Sequence, residues 1–94
     1  MYVVIRSYSG QGASELFDLL AQREEDVKEL ISGVPGFVSY AAFPTADGGR
    51  TVTVCQDKAG TDESSKRAAA WVEENMTAPV DPPQIAQGNT VLQF

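Results

Sequence analysis

Histidine is absent from the 94 residues, and cysteine occurs only once, as Cys55. Without histidine the chain cannot form a Ser-His-Asp triad, a Cys–His pair, a histidine-ligated metal site or a haem held by a proximal histidine. A single cysteine excludes a disulfide within the chain and a cysteine-cluster zinc site. Cys55 lies in an apolar strand with no histidine to act as its base, so we expect a packed, unreactive thiol.

Positive charge is scarce, with 7 basic residues against 13 acidic ones and a formal net charge of −6. Nucleic acid is therefore not an expected partner, because such binding depends on Lys and Arg side chains that neutralise phosphates.

No apolar stretch approaches the roughly 20 residues of a membrane span. The chain begins with a strand-like segment instead of a basic signal-peptide region, and its lone thiol suits a reducing compartment. We therefore expect a cytoplasmic protein that does not bind membranes.

The length and the 43% share of hydrophobic residues predict a single globular domain over residues 1–94. β-Branched and aromatic residues predict four strands. These strands cover residues 2–8, 37–43, 51–56 and 85–94, with 90–94 the best-formed part of the last. A hairpin loop is expected over residues 44–49, since it contains the turn signal Asp47-Gly48.

Two helices complete the pattern. The first is predicted over residues 14–33, where the apolar positions fall on one face and Gly33 and Pro35 end the helix. The second begins at Gly60-Thr61, with Thr61 as its N-cap. Its core stripe consists of small and apolar residues, namely Ser65, Ala68, Val72 and Met76. A proline-containing segment, residues 77–83, then leads to the last strand.

The resulting order, β-α-β-β-α-β, predicts an α+β fold of the ferredoxin-like type, with a four-stranded antiparallel sheet and two helices on one face. A sheet covered on one face only should have a polar second face. Here both faces of the first two strands carry apolar residues. In the first strand, for example, Tyr2, Val4 and Tyr8 lie on one face, and Val3 and Ile5 lie on the other. We therefore predict a homodimer in which a second copy covers the open sheet face.

Two segments carry a resemblance to a known superfamily. Residues 34–40, VPGFVSY, and the ending PPQI…VLQF, together with the order of elements, resemble the dimeric α/β-barrel proteins. The nearest branch is that of the antibiotic-biosynthesis-monooxygenase-like domains. The resemblance covers nearly the whole chain and implies a barrel built from two sheets, with a pocket between sheet and helices. Some members are cofactor-free monooxygenases of polycyclic phenols, some degrade haem, and many have no known activity.

The departures from that pattern narrow the function. The haem-degrading branch uses an Asn, a Trp and a His, whereas this chain has no His and offers Arg6 and Ser7 where the first-strand Asn would stand. Haem degradation is therefore disfavoured. The polyketide branch has an Asn one helical turn before the Trp. Arg67 occupies that position here, and Asn75 lies one turn after Trp71.

Two arginines are candidate ligand-binding residues. Arg23 projects onto the apolar face of the predicted first helix, one turn from Leu19 and Val27. It either faces an internal pocket and binds an anionic or phenolate ligand, or extends past the core to a carbonyl or carboxylate. Arg6 shares a strand face with Val4 and Tyr8, and either lines the barrel or forms an ion pair at the interface or strand end.

Aromatic residues supply the other candidates. Tyr8, Tyr40, Phe43 and Trp71 could form an aromatic pocket wall of the kind that binds flat apolar ligands, or could be core packing.

The motif Gly10-Gln11-Gly12 does not predict a dinucleotide site, because Glu15 stands where the third glycine should be. The acidic residues at 24–26 and 29 are interpreted as a solvated helix face, so neither a metal nor a cofactor is expected.

Three functions stay open, and no catalytic residue can be assigned. The first is an uncharacterised protein that binds a small aromatic or apolar ligand between sheet and helices. The second is a cofactor-free monooxygenase of polycyclic phenolic substrates. The third is a structural dimerisation module with a filled core and no ligand. A cavity reached by the candidate residues would favour the first two.

Overall fold

The computed structural model describes residues 1–94 and contains four strands and three helices. The elements follow the order β1 (Tyr2–Ser9), α1 (Ala13–Gln22), α2 (Glu24–Ser32), β2 (Phe37–Thr45), β3 (Gly48–Cys55), α3 (Lys58–Asn75) and β4 (Gln84–Asn89). All strand pairs are antiparallel, and the order across the sheet is β2-β3-β1-β4. This is the ferredoxin-like arrangement predicted from the sequence. We call residues 76–83, which join α3 to β4, the connector.

The two faces of the sheet differ in burial. Val4, Arg6 and Tyr8 of β1 are buried beneath the helices, while the alternate residues Val3 and Ile5 point to the other face and stay partly exposed. The same alternation runs along β3, where the residues opposite β1 continue both faces. The helix-covered face includes Thr51, Thr53 and Cys55, and the open face includes Val52 and Val54. The open face is apolar, as the sequence indicated.

The core lies between the helices and this covered face. Its cluster of buried residues consists of Tyr8, Ala13, Leu16, Phe17, Val27, Ile31 and Trp71. The rings of Tyr8 and Phe17 meet edge to face, with centroids 5.9 Å apart and planes at 67°. Aromatic pairs prefer this arrangement because the positive ring edge meets the negative ring face.

The single helix predicted over residues 14–33 is interrupted at Arg23, so that prediction is wrong. Arg23 has φ −113° and ψ 35°, its N–H donates to the Leu19 carbonyl, and its own carbonyl accepts from the Val27 N–H. It therefore ends α1 and begins α2. Three acidic residues directly follow it, at 24–26, and negative charge stabilises a helix N-terminus. That acidic triplet marks the start of α2. The apolar periodicity continues across this position and gave no sign of a second helix.

The other predicted boundaries also move. The expected loop over residues 44–49 is a two-residue turn at 46–47, because β2 extends to Thr45 and β3 begins at Gly48. The predicted N-cap Thr61 is wrong: α3 begins one turn earlier, and the Asp57 carboxylate accepts from the Gly60 N–H. The last strand ends at Asn89, so residues 90–94 are not its best-formed part. Val91, Leu92 and Phe94 are exposed instead.

No helix of the structure combines the length and the apolar character that crossing a membrane would require.

The close approach of α3 to β3 depends on Gly60. A Cβ atom at this position would collide with the Pro35 carbonyl oxygen and lie 2.8 Å from Cys55 Cβ. We expect Gly60→Ala to lower the free energy of unfolding by about 1–3 kcal/mol, because overpacking outweighs the gain in helix propensity. Chemical denaturation measures the change. Gly88→Ala is the matched control, since its methyl group would meet nothing within 4 Å, and equal losses in both variants would contradict the prediction.

Candidate functional site

A cavity of about 680 Å³ lies between α3, the β1–β4 side of the sheet and the connector. Its apolar walls are formed by Ala69, Val72, Met76, Val80 and Ile85. A cavity of this volume accommodates a small organic molecule. The predicted core stripe of α3 is therefore only partly core, since Ser65, Val72 and Met76 face the cavity.

Polar groups are distributed unevenly around this cavity. The buried Arg6 and Tyr8 and the half-buried Ser65 lie on its inner side. Two exposed acidic residues, Glu73 and Asp81, also line it. The cavity therefore has a deep end with a cation and a solvent-facing side with carboxylates.

The Arg6 guanidinium is 1% exposed, and hydroxyl groups surround it. Its Nη1 donates to Thr51 Oγ1 at 3.2 Å and to Thr53 Oγ1 at 3.1 Å. Its Nη2 donates to Ser64 Oγ at 2.6 Å and to Ser65 Oγ at 3.1 Å. Its Nε donates to Ser65 Oγ at 3.2 Å. All five N–H groups of the side chain are thereby engaged.

We call the four hydroxyl groups around Arg6 the hydroxyl cradle. Strand alternation in β3 and the start of α3 place them. Thr51 lies opposite Arg6 in the β1–β3 ladder, and Thr53 follows two residues later on the same face. Ser64 and Ser65 come from the second turn of α3, which the absence of a side chain at Gly60 holds close to the sheet. Ser64 extends the hydrogen-bond network into the helix backbone, since its hydroxyl donates to the Thr61 carbonyl at 2.7 Å.

No carboxylate contacts the Arg6 guanidinium. Burial lowers the pKa of Arg6, and the charges that favour its protonated form come only from Tyr8, Tyr40 and Cys55, which are neutral near pH 7. Removing a cation from water costs on the order of several kcal/mol unless charge and hydrogen bonds compensate it. Here the hydrogen bonds are complete and the charge is not compensated.

Burial also affects the two phenols nearest to Arg6. It raises the pKa of Tyr8, and the Arg6 cation opposes that rise. It raises the pKa of Tyr40 to about 12, again against the opposing effect of Arg6. Both phenols are therefore neutral hydrogen-bonding groups near pH 7. Cys55 behaves similarly, because burial raises the pKa of its thiol, as expected for an unreactive cysteine.

The connector is fastened to the turn between β1 and α1. The Asp81 carboxylate accepts from the Gln11 N–H at 3.1 Å, and the Asp81 N–H donates to the Gln11 carbonyl at 3.0 Å. At Gly12, which has φ 80°, an added Cβ would lie 2.5 Å from the Pro79 carbonyl oxygen. The motif Gly10-Gln11-Gly12 therefore serves to bring the connector close.

Two of the six predicted ligand-binding residues line the large cavity, and two more lie in the core beside it. Arg6 and Tyr8 line the large cavity. Tyr8 also meets Tyr40 and Trp71 around a second void of only about 20 Å³. That space is enough for about one water molecule, so these aromatics form core packing at this place.

The other two lie elsewhere. Arg23 does not face an interior pocket, which corrects the prediction: its side chain is 44% exposed and pairs with Asp26, Nη2 to Oδ2, at 2.6 Å. The interruption of the helix at Arg23 turns it outward. Phe43 is 43% exposed and pairs with Arg50 of β3 in the ladder, so it contributes to no wall of the cavity.

Two further residues have structural partners. The Arg67 Nη1 donates to the Leu30 carbonyl at 2.9 Å near the end of α2, and its Nε pairs with Glu63 at 3.0 Å. The Asn75 amide donates to the Trp71 carbonyl at 2.8 Å within α3. Sequence reasoning missed Thr51, Thr53 and Ser65, although the alternation Thr51-Val52-Thr53-Val54 already places the two threonine hydroxyls on one strand face.

No protein-family model matches the chain, and no curated protein matches it in sequence. Solved structures do match its fold. The monooxygenase ActVA-Orf6 of Streptomyces coelicolor, in complex with nanaomycin D, matches with a TM-score of 0.70 and 19% identity, over 99% of this chain and 89% of that one. The haem-degrader MhuD of Mycobacterium tuberculosis, with two haems bound, matches with a TM-score of 0.69 and 19% identity, over 100% of this chain and 99% of that one.

A dimeric ferredoxin-like protein from an uncultured marine organism matches with a TM-score of 0.62 and 15% identity, over 99% of this chain and 94% of that one. At such identities the likeness shows the fold alone. The chain has the ferredoxin-like fold of these proteins, and the resemblance drawn from its sequence is confirmed at that level.

The raised pKa of Tyr40 predicts how the free energy of unfolding changes at alkaline pH. The folded value of about 12 lies above the ordinary value of 10.0, so the unfolded chain releases this proton first. The Tyr40 contribution to stability is complete below pH 10 and is lost as pH rises towards 12. Between pH 9 and 11 we expect the wild type to lose about 1.4 kcal/mol more unfolding free energy than Tyr40→Phe. Parallel denaturation curves of both proteins measure this, and equal losses would contradict it.

Proposed function

We propose that this chain binds a small aromatic or apolar molecule in the cavity between α3, the sheet and the connector. The observation that carries the proposal is the cavity itself, about 680 Å³ with mostly apolar walls and a few polar groups at its inner end. Binding sites for small molecules typically combine these features. A filled-core dimerisation module without a ligand would not keep such a space.

A cavity-filling variant tests this proposal. Both Ala69 and Ala70 of α3 are exposed, but only Ala69 lines the cavity. We expect Ala69→Phe to weaken the binding of naphthamide, a neutral flat probe, at least about tenfold, because the new ring occupies the ligand's place. Ala70→Phe should bind like the wild type. Titration calorimetry measures both.

Two results would contradict ligand binding in the cavity. Equal affinities in the two variants would place any binding outside the cavity. No binding of naphthamide to the wild type, together with no retained small molecule in native mass spectrometry of freshly purified protein, would leave the filled-core module as the better description.

We also propose that the chain forms a homodimer through its open sheet face. Support comes from the apolar residues there, since Val3, Ile5, Val52 and Val54 are only partly covered in the single chain. An antiparallel sheet with one face in water would carry polar residues at those positions. The match to a structure described as a dimeric ferredoxin-like protein is in keeping with this assembly.

A charge in the middle of that face tests the dimer. Val52 lies on β3, one of the two central strands. We expect Val52→Glu to convert a species of about twice 10.1 kDa into a monomer of 10.1 kDa, because pairing would bury two unpaired carboxylates. Light scattering coupled to size exclusion measures the mass. Lys28→Glu, on exposed α2, is the control, and a Val52→Glu dimer would contradict the proposal.

A second candidate is cofactor-free oxygenation of a polycyclic phenol. It is favoured by the buried Arg6 cation beside an apolar cavity, since such a cation stabilises a phenolate. The match to ActVA-Orf6, which is described as a monooxygenase and has nanaomycin D bound, gives the same fold to an oxygenase. Oxygen consumption with an anthrone in metal-free buffer, compared between wild type and Ala69→Phe, tests it. Haem degradation is not proposed, because the histidine that the resemblance requires is absent.

A further inference from the structure

The Arg6 guanidinium is the one feature of the cavity that apolar binding does not explain. Its five N–H groups reach only neutral oxygens, on two threonines and two serines. A Met or Leu side chain would fill similar space without removing a charge from water, so packing alone does not account for a buried cation here. Four hydroxyls arranged around a cation indicate a site prepared for a negative charge that the chain does not itself provide.

Ser65 links this cation to the cavity. It is half-buried, lines the cavity, and accepts hydrogen bonds from both Nε and Nη2 of Arg6. A serine hydroxyl has two lone pairs and one proton. With both lone pairs engaged by Arg6, the proton remains to donate to a ligand. Ser64 differs, because its proton is already donated to the Thr61 carbonyl.

The acidic residues restrict what else the ligand can carry. Glu73 and Asp81 line the cavity on its exposed side, and Asp81 is held there by Gln11. The charges that act on Arg6 include neither of them. They would repel a second negative group placed near the opening. The net charge of −6 also disfavours non-specific attraction of anions.

We infer that the ligand is an aromatic or apolar monoanion whose carboxylate or phenolate oxygen accepts from Ser65 Oγ–H beside the Arg6 guanidinium, with its apolar body against α3 and the connector. This inference rests on the proposed function of the cavity and names the chemical class that the cavity takes. A charge-assisted hydrogen bond of this kind is roughly twice as strong as one between neutral groups.

Three probes of one shape test the inference by calorimetry: naphthoate, naphthamide and naphthalene dicarboxylate. We expect naphthoate to bind about tenfold more tightly than the neutral amide, since a charge-assisted hydrogen bond is roughly twice as strong as a neutral one. The dicarboxylate should lose that advantage because of the acidic residues near the opening.

Two neighbouring serines give matched variants. Ser65→Ala should reduce the preference for naphthoate over naphthamide to about twofold or less, because the charged oxygen loses a stronger hydrogen bond than the amide oxygen does. Ser64→Ala, which removes a contact to Arg6 outside the cavity, should lower stability and keep the preference. Alanine is favourable in a helix, so both variants test the site even where replacement of Arg6 itself unfolds the chain.

The outcomes separate this inference from the proposed function. Equal binding of naphthoate and naphthamide, or a preference that survives Ser65→Ala, would overturn the inference and leave the cavity as a binding site. A dicarboxylate that binds as tightly as naphthoate would overturn the restriction to monoanions. Failure of all three probes to bind would contradict the proposed function.

Discussion

The burial of one uncompensated guanidinium constrains much of this structure. Arg6 lies on a central strand, and the four hydroxyls that contact it have to be placed within hydrogen-bonding distance by two other elements. β3 has to run in its observed register to supply Thr51 and Thr53. α3 has to pack close enough to supply Ser64 and Ser65, which in turn requires a residue without a side chain at Gly60.

The same constraint separates the core from the cavity. Around the small void beside Tyr8, aliphatic and aromatic side chains of α1, α2 and α3 pack closely, and only about 20 Å³ remains. On the connector side α3 presents smaller residues, and about 680 Å³ is open. Tyr8 lines both spaces and so divides them, while Arg6 gives the larger one its polar end. A separate groove of about 660 Å³ lies outside this core, between α1, α2 and β2.

The order of elements and the apolarity of both sheet faces could be predicted from the sequence, because period-two alternation and turn residues are local signals. The grouping of Arg6 with Val4 and Tyr8 on one strand face was also predictable and is confirmed. Which face the helices cover was not, since neither face is polar. Helical periodicity placed Arg23 on the apolar helix face and left open whether it faces a pocket or reaches a carboxylate. The interruption there changes the helix direction, and only the acidic triplet at 24–26 marks it.

The way the connector is attached has a consequence for how the cavity exchanges its contents. The connector belongs to no helix or strand, and its backbone is held to the β1–α1 turn by a reciprocal pair of hydrogen bonds between Asp81 and Gln11. Proteins open locally in units that cost less free energy than global unfolding. Opening the connector requires breaking this pair and the packing of Val80 against the core, but neither the ladders of the sheet nor the hydrogen bonds of Arg6. Because Asp81 both holds the connector and lines the cavity, the rate of ligand exchange and the selection against a second negative group depend on the same side chain.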